Sequence, residues 1–434
     1  MLKKTLRTII VHLLEIEARL VLKKYRPKIV GVTGNVGKTS TKVAIALVLA
    51  HTAQVRESDK SYNSEIGLPL TILGCKTGWS NPWLWFLNLF EGVSLLLFPH
   101  HYPEWLVLEI GADRPGDIKH VASWLMLDVA VITRIGEKPV HVEFFPTAEA
   151  LAKEKSYMIN ALGPGGALVL NEDDAVVSAM REKTALRPVT FGFNEGATIR
   201  ASNNRVVYQE REGVQVPDGI TCKVDYNGKS FPLRLNSMFG ANNVYAALAA
   251  MAVGVSLDLN LVTCIEALTH FVPPPGRLNI LEGIKGSVLI DDTYNASPTA
   301  MRLALESLRE VEITGRRIAV LADMLELGKL TEEAHEETGT LAAATCDLLV
   351  VVGQRAKFIA DGAKAAGMSA DRIMYFDDAC AAGKALDPLI QKGDVVLVKG
   401  SQFMRMERCV EEIMLHPEKK AELLVRQDPE WEKR

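Results

Sequence analysis

Short apolar runs and amphipathic stretches alternate along most of the chain. Lys28 to Val32 reads as a buried strand, and after a glycine turn the apolar residues Val43, Ile45, Leu47 and Leu49 mark a helix. Glu104 to Gly111 predicts a second buried strand and Leu127 to Gly136 a third. A helix follows over Thr147–Leu162, then two more strands within residues 166–193. Residues 197–236 change character: Thr, Val and Tyr alternate with charges, and Asn227-Gly228 supplies a hairpin turn, which predicts a small antiparallel sheet. A helix is predicted over Ala241–Val253. Val272-Pro-Pro-Pro-Gly-Arg277 stops regular structure, and we place a domain boundary there. Beyond it strands at 287–291, 317–322, 347–353, 373–376 and 394–398 alternate with helices, the pattern of a second doubly wound α/β domain. The expected fold is α/β, with a basic helix over 1–26, a first domain over 27–272 and a second over 273–434.

Two stretches depart from this rhythm. Residues 1–26 carry Leu6, Ile9, Ile10, Leu13, Leu14 and Ile16 at helical spacing, and Lys3, Lys4, Arg7, Arg19, Lys23, Lys24 and Arg26 face only Glu15 and Glu17. The plain reading is a helix packed on the first domain; the other is a helix lying on an anionic membrane surface. Residues 81–98 are the most apolar stretch, with Asn88, Glu91 and Gly92 interrupting it. It is short for a spanning helix, which needs about 20 apolar residues. A buried or interface-lying helix is expected, with Trp83, Trp85 and Phe86 as the residues that would favour peripheral membrane contact.

Composition narrows the class. A chain of 434 residues with 48% hydrophobic content has room for two or three domains with sizeable cores. A net charge of −4 gives no sign of a nucleic-acid partner. The cysteines are scattered without ligand or disulfide spacing, which fits a reducing cytoplasm, and the basic start lacks a small-residue cleavage site.

The candidate chemistry begins at Thr33-Gly-Asn-Val-Gly-Lys-Thr39. A strand, a tight turn with Gly34 and Gly37, and a helix start make a phosphate cradle. Lys38 can reach outer phosphates and the Thr39 hydroxyl can reach Mg²⁺, although Val32 stands where the usual P-loop has its first glycine. Binding of a nucleoside triphosphate is predicted. Ser61 to Leu70 reads as a substrate-facing loop. Glu109 ends a strand beside the P-loop strand, where a carboxylate can hold the cation of a bound nucleotide. His141 follows the next strand end and is either structural or a metal ligand. By composition Lys153 and Lys155 are solvated helix charges. Asp291 to Pro298 and Lys399 to Ser401 put polar residues at strand ends that would face a cleft, and residues 417–434 read as a charged helix or frayed tail.

Taken in order, these pieces resemble the Mur ligase family of ATP-dependent amide-bond-forming enzymes. Within it the likeness is to the branch that adds D-alanyl-D-alanine to a UDP-N-acetylmuramoyl tripeptide. The resemblance covers about residues 27–415. It is carried by the P-loop, Asn63–Thr71, Glu109–Ile118, His141–Glu143, Ala152–Lys155, Gly240–Leu248, Pro275–Arg277, Asp291–Pro298, Leu321–Gly328 and Val398–Ser401. It implies a P-loop central domain, a Rossmann-like C-terminal domain and closure between them. It implies ATP and Mg²⁺, an acyl phosphate made on a substrate carboxylate, and attack by an amino acid or dipeptide on a peptidoglycan-precursor acceptor. It implies catalytic roles for Lys38, Glu109, His141 and Lys155. Thr39, Glu109, His141 and a Lys155 carbamate would hold metal. Thr33, Gly34, Asn35, Val36, Gly37, Lys38, Thr39 and Ser40 would bind nucleotide, with Asn243, Arg277, Asp292, Tyr294 and Asn295.

The chain departs from the family where Ser156-Tyr157 follow the lysine and where Asn242 precedes Asn243. It also has only residues 1–26 ahead of the P-loop strand, which leads us to expect no N-terminal UDP-binding domain. Ligation onto a polyglutamate or lipid-linked peptide, and a P-loop regulator without ligase activity, are the alternatives. An enzyme of the cytoplasm or of the inner membrane face is expected.

Overall fold

The computed structural model describes residues 2–58, 62–79, 81–136, 144–145, 147–211 and 214–432. Two sheets organise the chain. The first contains β1 (Lys28–Thr33), β2 (Val55–Glu57), β3 (Trp105–Glu109), β4 (Leu127–Ile132), β5 (Leu162–Asn171), β6 (Val189–Gly192), β7 (Ile199–Arg211), β8 (Val214–Tyr226) and β9 (Lys229–Asn236). Their order is β2-β3-β1-β4-β5-β6-β7-β8-β9. Pairing is parallel from β2 across to β7, then antiparallel through β8 and β9. The antiparallel strands expected over 197–236 therefore continue the parallel sheet instead of standing apart. Strand β2 was not foreseen; a three-residue edge strand carries too little periodicity to read.

Both faces of this sheet are covered, which is why its strands read as continuous apolar runs. Val30, Val32, Val107, Val129 and Val131 pack on α2 (Lys38–Ala50) and on the helix Ala241–Ser256. Ile29, Leu106, Leu108, Ala130 and Ile132 point the other way. That face is covered by α1 (Leu2–Tyr25), α3 (Gly67–Leu73), α4 (Pro82–Leu97), α5 (Asp117–Ala122) and α6 (Ala148–Asn160). From α1 the buried stripe is Leu14, Ala18 and Val21, while Ile9, Leu13, Ile16 and Leu20 stay exposed. Helix α1 thus packs on the domain, as its plain reading expected, but presents a second apolar stripe outward. No helix among the described residues is long and apolar enough to cross a membrane.

The second sheet holds β10 (Asn279–Glu282), β11 (Val288–Asp292), β12 (Arg317–Ala322), β13 (Leu348–Val352), β14 (Ile373–Phe376) and β15 (Val395–Lys399). Its order is β10-β11-β15-β12-β13-β14, all parallel except the edge strand β10, which the proline-rich stretch before it concealed.

Candidate active site

The P-loop is built as its residue types require. Gly34 has φ 146° and Gly37 φ 84°, conformations that side chains resist. A Cβ on Gly34 would lie 2.0 Å from Thr133 Oγ1, so the loop also closes tightly on the next strand. The loop is pinned by the Asn35 amide, which donates to the Arg134 carbonyl at 2.6 Å, and by Asn35 Nδ2, which donates to the Ile135 carbonyl. Helix α2 starts at Lys38 with Gly37 as its cap and no side-chain capping bond, which leaves its first N–H groups for a ligand.

Parallel pairing sets Val32 opposite Glu109, and so places a carboxylate one strand over from the loop. Thr39 Oγ1 donates to Glu109 Oε2 at 2.9 Å and Asn63 Nδ2 donates to Oε1 at 3.1 Å. Arg277, from beyond the proline-rich stretch, donates to Thr39 Oγ1 at 3.1 Å and lies 3.8 Å over the ring of Tyr294. Its Nε is buried without a partner, a donor that a phosphate oxygen would satisfy. The hydroxyl of Thr39 and the carboxylate of Glu109 are hard oxygen donors. They fit Mg²⁺, which takes few protein ligands and completes its shell with water and phosphate.

Lys38 Nζ donates to the Asn35 carbonyl at 3.4 Å, and Lys155 Nζ to the Gly34 carbonyl at 3.0 Å. Loss of hydration lowers the pKa of Lys38, and Glu109 pulls the other way. Lys155 is buried, and desolvation followed by the charge of Lys38 brings its pKa well below that of an ordinary lysine. The reading of both α6 lysines as solvated charges holds only for Lys153, which is exposed.

The opposing edge belongs to the second sheet. Asp292 ends β11 directly opposite Lys399, the last residue of β15. Lys399 Nζ donates to the buried Asp292 Oδ2 at 2.6 Å and, less deeply, to the Asn295 carbonyl at 2.9 Å. Desolvation raises the Asp292 pKa against the pull of Lys399. Asn243 is buried, with Nδ2 donating to the carbonyl of Phe239 at 2.9 Å.

A cavity of about 420 Å³ lies between these edges. Gly34, Asn35, Val36, Gly37, Lys38, Ser40, Asn63, Glu109 and Lys155 line it from one side; Arg277, Asp292, Tyr294, Asn295 and Lys399 line it from the other, with Asn243 between. Thr33 is not among the lining residues; it lies buried under the loop with an unpartnered hydroxyl. Thr39 is likewise not a lining residue, but it is bonded to Glu109, which is. His141 falls outside the described residues. Sequence reasoning left Asp113 and Arg426 unassigned. Asp113 also lines the cavity. Arg426 lies in the supposed frayed tail, yet it donates to the carbonyls of Thr293 and Tyr294 and to Glu407 Oε2 at 2.6 Å. That holds the turn carrying Tyr294; a charged tail gives no hint of it.

Residues 92–254 match the family profile of the Mur ligase middle domain, and residues 276–402 that of the Mur ligase glutamate ligase domain. The UDP-N-acetylmuramoyl-tripeptide–D-alanyl-D-alanine ligase of Mycobacterium tuberculosis (strain H37Rv) is 30% identical over 393 residues, 86% of this chain and 70% of that protein. The chain belongs to the Mur ligase family. As a Mur ligase it is an ATP-dependent carboxylate–amine ligase. The ligase of the same name from Bacillus subtilis (strain 168) is 29% identical over 92% of this chain and 79% of its own length. MurF from Thermotoga maritima, solved in complex with ADP, has a TM-score of 0.74 at 28% identity, covering 93% of this chain and 83% of that one. Of the strand-end residues that carried the resemblance, Glu109, Asp292 and Lys399 line the cavity of this Mur ligase.

Proposed function

We propose that the chain joins D-alanyl-D-alanine, or a similar amine, to the terminal carboxylate of a peptidoglycan-precursor peptide, forming ADP and phosphate. The observation that carries this reading is one cavity in which Lys38 and Lys155 stand beside the Thr39–Glu109 pair and face Arg277. An oxygen of the acceptor carboxylate attacks the γ-phosphorus of ATP, and the bond to ADP breaks. The amine then attacks the acyl carbon, loses its proton, and the tetrahedral intermediate expels phosphate.

Transfer between two anions needs fixed positive charge, and Lys38 and Arg277 supply it. Mg²⁺, held by Thr39 and Glu109, would add charge between the nucleotide phosphates. Burial favours the neutral amine of Lys155, the form that attacks CO₂ to give a carbamate and a released proton. That carbamate, with His141, would offer a second metal site near the acyl phosphate. Asn243, Asp292, Tyr294 and Asn295 would border the nucleotide. The proline-rich stretch 272–277 serves as the hinge on which residues 273–434 close over 27–272.

Phosphate release, screened with D-alanyl-D-alanine and free amino acids against UDP-linked and lipid-linked muropeptides, tests the reading. ADP is expected only when both acceptor and amine are present. If no pair of acceptor and amine gives amine-dependent release, the non-catalytic regulator replaces it. Amine-dependent release with a glutamate chain in place of every muropeptide would move the acceptor to a polyglutamate.

A further inference from the structure

Helix α4 is apolar on both sides. Its inner side, with Trp85, Leu89, Gly92 and Leu95, joins the core. Its outer side carries Trp83 at 63% exposure, Phe86 at 56%, Phe90 at 61% and Leu97 at 71%, and no described residue covers it. These positions recur at helical spacing, so they form one stripe, with Trp83 and Phe86 stacked at 5.3 Å. A helix apolar all round belongs in a core or against an apolar medium.

The stripe is rigidly mounted. Lys24 Nζ donates to the carbonyls of Leu95 at 2.8 Å, Leu96 at 3.1 Å and Phe98 at 2.7 Å, closing the end of α4. Tyr25 Oη donates to the Leu95 carbonyl at 2.9 Å. Gly92 lets the two helices meet closely; a Cβ there would lie 2.1 Å from Glu17 Oε2. Helix α1 thereby sets its own outward stripe of Ile9, Leu13, Ile16 and Leu20 beside α4.

Charge selects the occupant. The chain carries −4 overall, yet residues 1–28 hold Lys3, Lys4, Arg7, Arg19, Lys23, Lys24, Arg26 and Lys28 against Glu15 and Glu17. Lys23, Arg26 and Lys76 are exposed around the helix pair. A protein partner would call for about one hydrogen bond per 100–200 Å² of interface. The exposed side of α4 offers only the carboxylate of Glu91 at its flank and the hydroxyl of Ser94, which already pairs with His100 Nε2 at 3.2 Å. Aromatic and aliphatic side chains framed by lysine and arginine suit the boundary between lipid headgroups and acyl chains. With 16 residues α4 is too short to cross, so it would lie in the plane of that boundary.

We propose that α1 and α4 together form a docking face for an anionic lipid bilayer. Helix α1 also walls a second cavity of about 600 Å³, through Val11, His12 and Glu15, which shares Asn63 and Asp113 with the nucleotide cavity. Docking sets that second cavity beside the bilayer.

Flotation of the full-length protein with phosphatidylcholine vesicles, with and without phosphatidylglycerol, tests this at low salt. The wild type floats with the phosphatidylglycerol vesicles. Partitioning falls about tenfold or more in the exposed-residue variant Trp83→Ser/Phe86→Ser/Phe90→Ser, and less steeply in Lys23→Glu/Lys76→Glu. Circular dichroism and sedimentation velocity verify that both variants keep the fold and the oligomeric state. Failure of the wild type to float, or undiminished flotation of the aromatic variant, overturns the proposal. So does a wild-type dimer that the aromatic variant converts to monomer without any vesicle binding, which would assign the face to a second copy.

Discussion

On the β1–β3 edge of the cleft, Lys38 and Lys155 rest on backbone carbonyls, and burial lowers the pKa of both. On the β11–β15 edge, Lys399 has a fixed counter-anion in Asp292 at 2.6 Å. The two edges use buried lysine for opposite ends. A cation that is hydrogen-bonded to a carbonyl and feels carboxylates such as Glu109 only at a distance keeps field to spare for a polyanionic ligand, at a cost to the empty protein. A cation paired within the sheet has little left for a ligand, and instead fixes the two strand ends against each other. The first edge is built to bind and react, the second to present Tyr294 and Asn295 in a set position.

The widest separation is expected at Lys38. Lys38→Met lowers phosphate release by about 10⁴-fold, ~5 kcal/mol of transition-state stabilisation. In the same variant the ligand-free protein keeps or gains thermal stability, because a desolvated charge is gone. Loss of stability in the empty protein would mean that Lys38 is a structural cation like Lys399, and the contrast between the edges would fail.

Lys155→Met comes next, with activity down about 10³-fold, ~4 kcal/mol. Depleting CO₂ and bicarbonate should slow the wild type and leave the residual rate of the variant unchanged. Stability supplies a separate readout. The folded-state pKa of Lys155 lies below its unfolded value, so the unfolded chain binds more protons between the two. Wild-type stability therefore rises with pH across that window, and the variant loses this rise. Parallel pH profiles of melting temperature would refute the buried neutral amine.

At the other edge the sign reverses. Lys399→Met leaves Asp292 buried and unpaired and is expected to destabilise the fold by about 3 kcal/mol. Adding Asp292→Asn recovers most of that, since the residual charge is removed. Chemical denaturation of the single and double variants measures both. If the double variant is no more stable than Lys399→Met alone, Lys399 does not act through Asp292.

The first edge was far more legible in the sequence than the second, and the reason is the range of the interactions. Gly34, Gly37, Lys38 and Thr39 act within one turn, and Glu109 announces itself by ending an apolar run. The Asp292–Lys399 pair depends on β11 lying beside β15, and sheet order sets that adjacency across 107 residues. Lys153 and Lys155 look alike in composition, yet two residues apart on a helix they point about 200° from each other, so only one is buried. Arg426 was hidden for a different reason: its partners Thr293, Tyr294 and Glu407 come from three-dimensional folding of a tail that has no periodicity. The edge strand β2 was missed because three residues give no pattern to count, and β10 because the proline-rich stretch before it conceals its start. The apolar stretch of α4 was legible as a buried or interface-lying helix, but which of its aromatic residues face outward was not: Trp83 and Phe86 are exposed, whereas Trp85 joins the core.

The smallest effect concerns the helix pair and carries the contrast to the far side of the first sheet. Glu17 of α1 lies against Gly92 of α4, and its Oε2 is buried with no hydrogen-bond partner. Burial raises its carboxyl from 4.5 to about 7. A raised folded-state pKa favours the protonated form, so this contribution to stability is complete below the unfolded pKa and is lost as pH rises through about 7. That slope is opposite to the one expected at Lys155. Glu17→Gln holds the side chain neutral at every pH and should remove the loss. Its gain above neutral pH is about 1–2 kcal/mol, after allowing for the water that still reaches a half-buried group. At acidic pH wild type and variant should melt together. A constant offset between the two melting curves at all pH values would place the effect in packing against Gly92 and not in the charge.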